Sequence, residues 1–209
     1  MKFKSVLVPA IALVTVASLA ACSTDDEPGS GAAPSSATTG AEEQDGTAED
    51  GTFNDQDVMF AQMMIPHHEQ AIEMSDVILA KDGVDPEVTD LANQIKDAQG
   101  PEIEQLTTWL EEWGSPMEES GGMDHEAMGH GSMDGMMSEE DMQALDAAQG
   151  AEAGQLFLEQ MIVHHEGAVE MAQTQVDEGE NADAVAMAQE IVETQQAEIS
   201  TMEDLLASS

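Results

Sequence analysis

The chain contains one unit twice, and that duplication limits the folds open to it. Residues 60–74, FAQMMIPHHEQAIEM, return as residues 157–171, FLEQMIVHHEGAVEM. Both carry Met-x-x-His-His-x5-Met, formed by Met64, His67, His68 and Met74 and then by Met161, His164, His165 and Met171. The likeness continues downstream. Leu91 to Leu110 aligns with Met187 to Leu206 and shares Ala92/Ala188, Ile95/Ile191, Gln99/Gln195, Glu102/Glu198, Ile103/Ile199 and Leu110/Leu206. Each copy is therefore two segments joined by a short loop, residues 82–86 in the first and 177–181 in the second, both with Gly and acidic turn-formers.

All four segments read as helices. Apolar residues recur three and four apart, at Phe60, Met64, Ala71, Met74 and Ile78, and again at Leu91, Ile95, Ala98, Leu106 and Trp109. Asp85-Pro86 suits an N-cap and first helical position. Pro66 and Gly100-Pro101 lack counterparts in the second copy and are expected to bend their helices. Trp109 and Trp113 are expected to pack at a helix end. Two helical hairpins close naturally into an all-α, four-helix up-and-down bundle, with ligand sites on facing helices.

A wheel of 100 degrees per residue puts Met64, His67, His68, Ala71, Met74, Phe60 and Ile78 within an arc of roughly 120 degrees, with Glu69 and Glu73 on the far side. The second copy repeats this, with Glu170 turned outward. Histidines and methionines thus share the apolar face. Methionine at helical spacing is usually core filler, and Met187 and Met202 are read that way. Two adjacent His pairs with the same flanking Met are harder to treat so. Imidazole and thioether are the donors that copper(I) favours. Carboxylate-bridged di-iron bundles instead use Glu-x-x-His; here Met64 and Ile65 stand three before His67 and His68, and Met161 and Ile162 before His164 and His165. Glu102 and Glu198 fall on the inner arc, with Gln99 and Gln195 at its edge. They are candidates for orienting the imidazoles, or for direct ligation of a harder metal such as iron.

Between the hairpins lies a tract with Met117, Met123, His125, Met128, His130, Met133, Met136, Met137 and Met142, spaced by Gly, Ser, Asp and Glu. It lacks helical periodicity until about Ser138. A biased His-rich tract reads as metal-binding, and it is expected to be a secondary copper-loading segment. The boundaries follow: hairpin 1 at 52–114, Met/His-rich loop at 115–138, hairpin 2 at 139–209.

Upstream, Lys2 and Lys4 precede an apolar run that ends in Leu19-Ala20-Ala21-Cys22. Residues 1–21 read as a bacterial secretory signal whose ending resembles a lipobox. Cys22, the sole cysteine, would carry lipid and tether the chain to the extracytoplasmic face of the cell membrane, without a transmembrane helix. Residues 22–51 are Ser, Thr, Gly, Ala, Pro, Asp and Glu with almost nothing large and apolar, the composition of a disordered spacer. Loss of the signal leaves Lys81, Lys96 and no arginine against 44 acidic residues, a formal charge of 2 − 44 = −42. Nucleic acid and anionic lipid are poor partners for such a chain, and cations good ones.

The paired Met-x-x-His-His-Glu-x4-Met segments, each followed by a helix with Gln-x-x-Glu-Ile, resemble the bacterial domain-of-unknown-function family 305 over about Thr52 to Ser209. The resemblance implies a helical, ferritin-like domain. Some members are periplasmic or secreted copper-binding proteins of copper resistance, which implies copper binding by His67, His68, His164, His165 and the flanking methionines. It implies no enzymatic activity. The expectation is a membrane-anchored protein that buffers or delivers copper, as Cu(I), with a copper exporter or another copper protein as partner. Two alternatives stay open: a ferritin-like di-metal oxidase using Glu102 and Glu198 with the histidines, and a non-metal lipoprotein in which Met and His only pack. No Ser-His-Asp or Cys-His arrangement and no phosphate-binding glycine loop is present.

Overall fold

The computed structural model describes residues 51–117 and 135–208. The signal, Cys22 and spacer expectations, apart from Gly51, and those for Met123, His125, Met128, His130 and Met133 lie outside these residues. Five α-helices and no strand occur among the described residues: α1 Asp55–Leu79, α2 Pro86–Glu112, α3 Glu139–Ala147, α4 Gly150–Glu178 and α5 Ala182–Ser208. None is long and apolar enough to cross a membrane.

Local chemistry sets the helix starts. Asn54 and Asp57 form a reciprocal capping box at α1, and Ser138 and Asp141 form another at α3. Asp85 caps α2 from the Glu87 N–H, with Pro86 in the first turn. Asn181 Oδ1 accepts from Ala184 N at 2.9 Å to start α5. Helix α1 runs unbroken through Pro66, and α2 through Pro101. Each proline removes one N–H, and the long amphipathic faces on either side hold the helix together.

Two features depart from the four-helix reading. The segment after Ser138 is a separate short helix, because Ala148 and Gln149 are extended and break it from α4. The second hairpin is therefore α4–α5 alone, and Asp177 and Glu178 belong to α4 rather than to its loop. Helix direction also differs from strict up-and-down order. The core forms two clusters. One takes Met74 and Ile78 from the end of α1, Leu91 and Ile95 from the start of α2, Phe157 and Met161 from the start of α4, and Met202 from the end of α5. The other takes Phe60 and Met64, Leu106 and Trp109, Ala168 and Ala172, and Ala184 and Ala188. So α1 is antiparallel to α2 and to α4, while α4 runs parallel to α2. The end of α2 and the start of α4 therefore lie at opposite ends of the bundle, and α3 packs on α1 and α4, burying Leu145.

Residues 135–137, ahead of α3, are seated closely. Gln70 Nε2 donates to the Met137 carbonyl at 2.9 Å, and Met137 N donates to Gln70 Oε1 at 2.7 Å. Gly135, at φ +87, presses on α4, where a Cβ would stand 2.7 Å from the Val163 carbonyl oxygen. At the other end of the bundle Phe53, Trp113 and Trp109 stack, with ring centroids 5.0 Å and 5.9 Å apart.

Candidate metal centre

Antiparallel packing of α1 on α4 brings the two copies of the His pair to one level. The His67 and His164 rings meet with centroids 3.8 Å apart. His68 and His165 turn the opposite way, each toward the second helix of its own hairpin. His68 Nε2 lies 2.7 Å from Glu102 Oε2, and His165 Nε2 lies 2.8 Å from Glu198 Oε2. All four imidazoles are buried. Gln99 and Gln195, one turn before the glutamates, are buried too. The repeat has thus become an approximate twofold axis through the His67–His164 contact.

This polar layer divides the core. Met64 lies in the cluster on one side with Met171 packed against it. Met74 and Met161 share the cluster on the other side. Thioethers from different copies therefore flank the layer together. Of the described residues in the linking tract, Met137 packs against the Met74–Met161 cluster, Met136 is half-buried and Met117 is exposed beyond α2. Glu69, Glu73 and Glu170 face solvent as expected. Met202 is core, but Met187 is only partly buried and lines a groove between α2 and α5.

The layer is short of hydrogen bonds. Both His164 ring nitrogens, Nδ1 of His68 and of His165, and Oε1 of Gln99 and of Gln195 are buried without a well-formed partner. Buried polar atoms are ordinarily paired, so each such atom calls for a reason. A carboxylate accepts from Nε2 only when Nε2 carries the hydrogen, which leaves the lone pair of a neutral imidazole on Nδ1. Carboxylate-to-imidazole pairs of this kind orient metal-binding histidines. Burial holds the His164 pKa well below 6.5, aided by the neighbouring His67, His165 and His68 and weakly opposed by the His67 backbone. At neutral pH the His164 lone pair is available. Among the described residues no three His, Cys, Asp or Glu side chains converge to hold one ion.

The depressed His164 pKa has a stability consequence. Below 6.5 the unfolded chain takes up a proton that the folded chain refuses, so acid withdraws stability. The unfolding free energy without added metal should fall as pH drops from 6.5, with a slope approaching about 1.4 kcal/mol per pH unit. Urea titrations at fixed ionic strength check this, and a flat profile down to about pH 5 would refute it.

Residues 57–206 match the family described as Domain of unknown function (DUF305). The chain belongs to the DUF305 family. Several solved structures resemble it. A DUF305 protein from Streptomyces coelicolor, provisionally described as secreted, is 34% identical with a TM-score of 0.65, over 73% of this chain and 93% of that one. A DUF305 fragment from Deinococcus radiodurans is 33% identical with a TM-score of 0.64, over 75% and 98%. CopM in its Cu(II)-bound form is 33% identical with a TM-score of 0.60, over 73% and 96%. CopM is also solved with Cu(I), with silver and without metal. No curated protein matches the chain. Within DUF305, then, CopM is a relative that binds copper.

One buried group escapes a reading that looks for ligands. Asp57 is fully buried at the α1 N-terminus and accepts from Gln175 Nε2, Glu180 N, Asn181 N and Asn54 N. It latches the first hairpin to the loop of the second. Gly179 makes room, since a Cβ there would meet the Gln175 side chain. The Asn54-x-x-Asp57 spacing before an apolar run was the available signal.

Proposed function

We propose that this DUF305 chain binds copper, as Cu(I), at the histidine layer, and buffers or delivers it as a lipid-anchored protein on the outer face of the cell membrane. The observation that carries the reading is the set of buried imidazole nitrogens of His68, His164 and His165 without a well-formed partner, between thioether-bearing clusters. His67 and His164 bridge the hairpins; His68 and His165 add Nδ1 donors held by Glu102 and Glu198; Met64, Met171, Met74 and Met161 supply soft sulfur. Copper and silver bound to CopM, a relative of about one-third identity, support the metal assignment. One long crossover between two hairpins fits ferritin-like wiring. Glu102 and Glu198 are engaged by imidazole rather than paired with each other, which favours cargo binding over di-iron oxidation. The Met/His-rich tract captures metal at lower affinity, Cys22 carries the anchor, and a copper exporter or another copper protein receives the ion.

The test is anaerobic titration with Cu(I) against a coloured chelator, beside ferrous iron and zinc, on the protein and on its His67→Ala/His68→Ala/His164→Ala/His165→Ala variant. Tight copper binding that the variant loses is expected, with weak iron binding. Unchanged stoichiometry and affinity in the variant would sink the assignment. Tight paired iron with weak copper would move the centre to Glu102 and Glu198 and favour the oxidase.

A further inference from the structure

An ion bound at the histidine layer has to cross the bundle wall, because the four imidazoles are at most 1% exposed. The wall is uneven. Helices α1 and α2, α4 and α5, and α1 and α4 pack closely along their lengths, whereas α2 and α5 barely touch. A groove of about 690 Å³ opens between them, lined on α2 by Ala98, Pro101, Glu102, Gln105 and Trp109 and on α5 by Asp183, Ala186, Met187, Glu190 and Thr194. Glu102 belongs to both sides of the wall. Its side chain is 20% exposed, while the His68 it holds at 2.7 Å is 0% exposed, with a buried Nδ1 that has no partner.

We propose that the α2–α5 groove is the route by which copper(I) reaches the histidine layer. In it Asp183 and Glu190 attract the cation, Met187 offers a thioether, and Glu102 positions His68 to receive the ion. The inference rests on the copper reading above. The internal repeat supplies its own control. The twofold maps the α2–α5 seam onto itself, and its related half carries Leu91 where the groove has Met187, and Leu205 where it has Trp109. Leu91 is buried in the core and Leu205 packs against it, so hydrocarbon fills that half of the seam. A soft donor beside a gap therefore occurs on one side of the axis only, and the two halves of the layer are loaded from one face. A second surface groove, of about 770 Å³, is also acidic, with Glu69, Glu73, Asp76, Asp82 and Asp146, but neither carboxylate that holds an imidazole, Glu102 or Glu198, lines it. Acidity alone does not distinguish the two; the connection through Glu102 does. Carboxylates at a cleft mouth raise the local cation concentration and so act on association rate.

The experiment is anaerobic stopped-flow transfer of Cu(I) from a coloured chelator complex to the full chain, recording both rate and end point. Asp183→Asn/Met187→Leu/Glu190→Gln should slow association about fivefold or more at low ionic strength and leave the equilibrium affinity within about twofold. The charge-matched control Glu69→Gln/Glu73→Gln should keep the parent rate. Equal rates in parent and groove variant overturn the route, as does equal slowing by the control. A parent protein that takes up no copper overturns the proposed function, and the route with it.

Discussion

His164→Leu will make the metal-free protein more stable and its copper site worse. Both His164 ring nitrogens are buried without a well-formed hydrogen bond, and the ring sits against His67. An unsatisfied buried polar group costs about 1–3 kcal/mol, and leucine occupies a similar volume without that cost. The expected gain is about 1–2 kcal/mol in unfolding free energy, measured by urea denaturation after metal removal. Loss of one bridging imidazole should weaken Cu(I) binding by at least about a hundredfold, beyond what removal of an orienting neighbour costs. The pH dependence below 6.5 should flatten in the same variant. Opposite signs for stability and affinity are what a site held at the expense of the core should show. A variant less stable than the parent would mean that the imidazole is satisfied in solution and that the layer is ordinary core.

Asp57→Ala carries the largest stability loss. Its carboxylate gathers four donors from the α1 N-cap, α4 and the α4–α5 loop, and is itself fully buried. Truncation leaves the Gln175 amide and the Asn181 N–H buried and unpaired, at a cost of about 3–5 kcal/mol. In a domain of this size that lowers Tm by roughly 10 °C. Asp57→Asn keeps the shape but presents a donor where acceptors are needed, so it should recover only part of the loss. Thermal unfolding followed by circular dichroism separates these outcomes. A shift under about 2 °C for the alanine variant would show that water replaces the carboxylate and that the latch is dispensable.

Much of the fold was legible because helical periodicity is a local property. The apolar spacing of residues 60–78 and 91–109 survived two internal prolines, and Asp85-Pro86 opens α2 as its chemistry suggests. The inward arc of each histidine-bearing helix held its own pair, and all four histidines are buried. The same spacing put Glu102 and Glu198 on the inner arc as candidates to orient imidazoles, and the fold sets them against His68 and His165. The break between α3 and α4 was not legible, since Ala147-Ala148-Gln149 carries no strong stop signal and the turn rests on one glycine, Gly150, at φ +57.

Periodicity and repetition along the chain specify which residues face inward and which carry soft donors, since those follow from spacing within one helix. They do not specify partners across helices. Met64 reads as the companion of Met74, ten residues on, yet antiparallel packing of α1 on α4 sorts Met64 with Met171 and Met74 with Met161. The same packing sets His67 against His164 and leaves the α2–α5 seam open. Side chains ten residues apart on one helix are about 15 Å apart and cannot meet, whereas facing helices approach to about 8–10 Å. The geometry of the centre therefore belongs to the docking of two hairpins, a step that no single hairpin encodes.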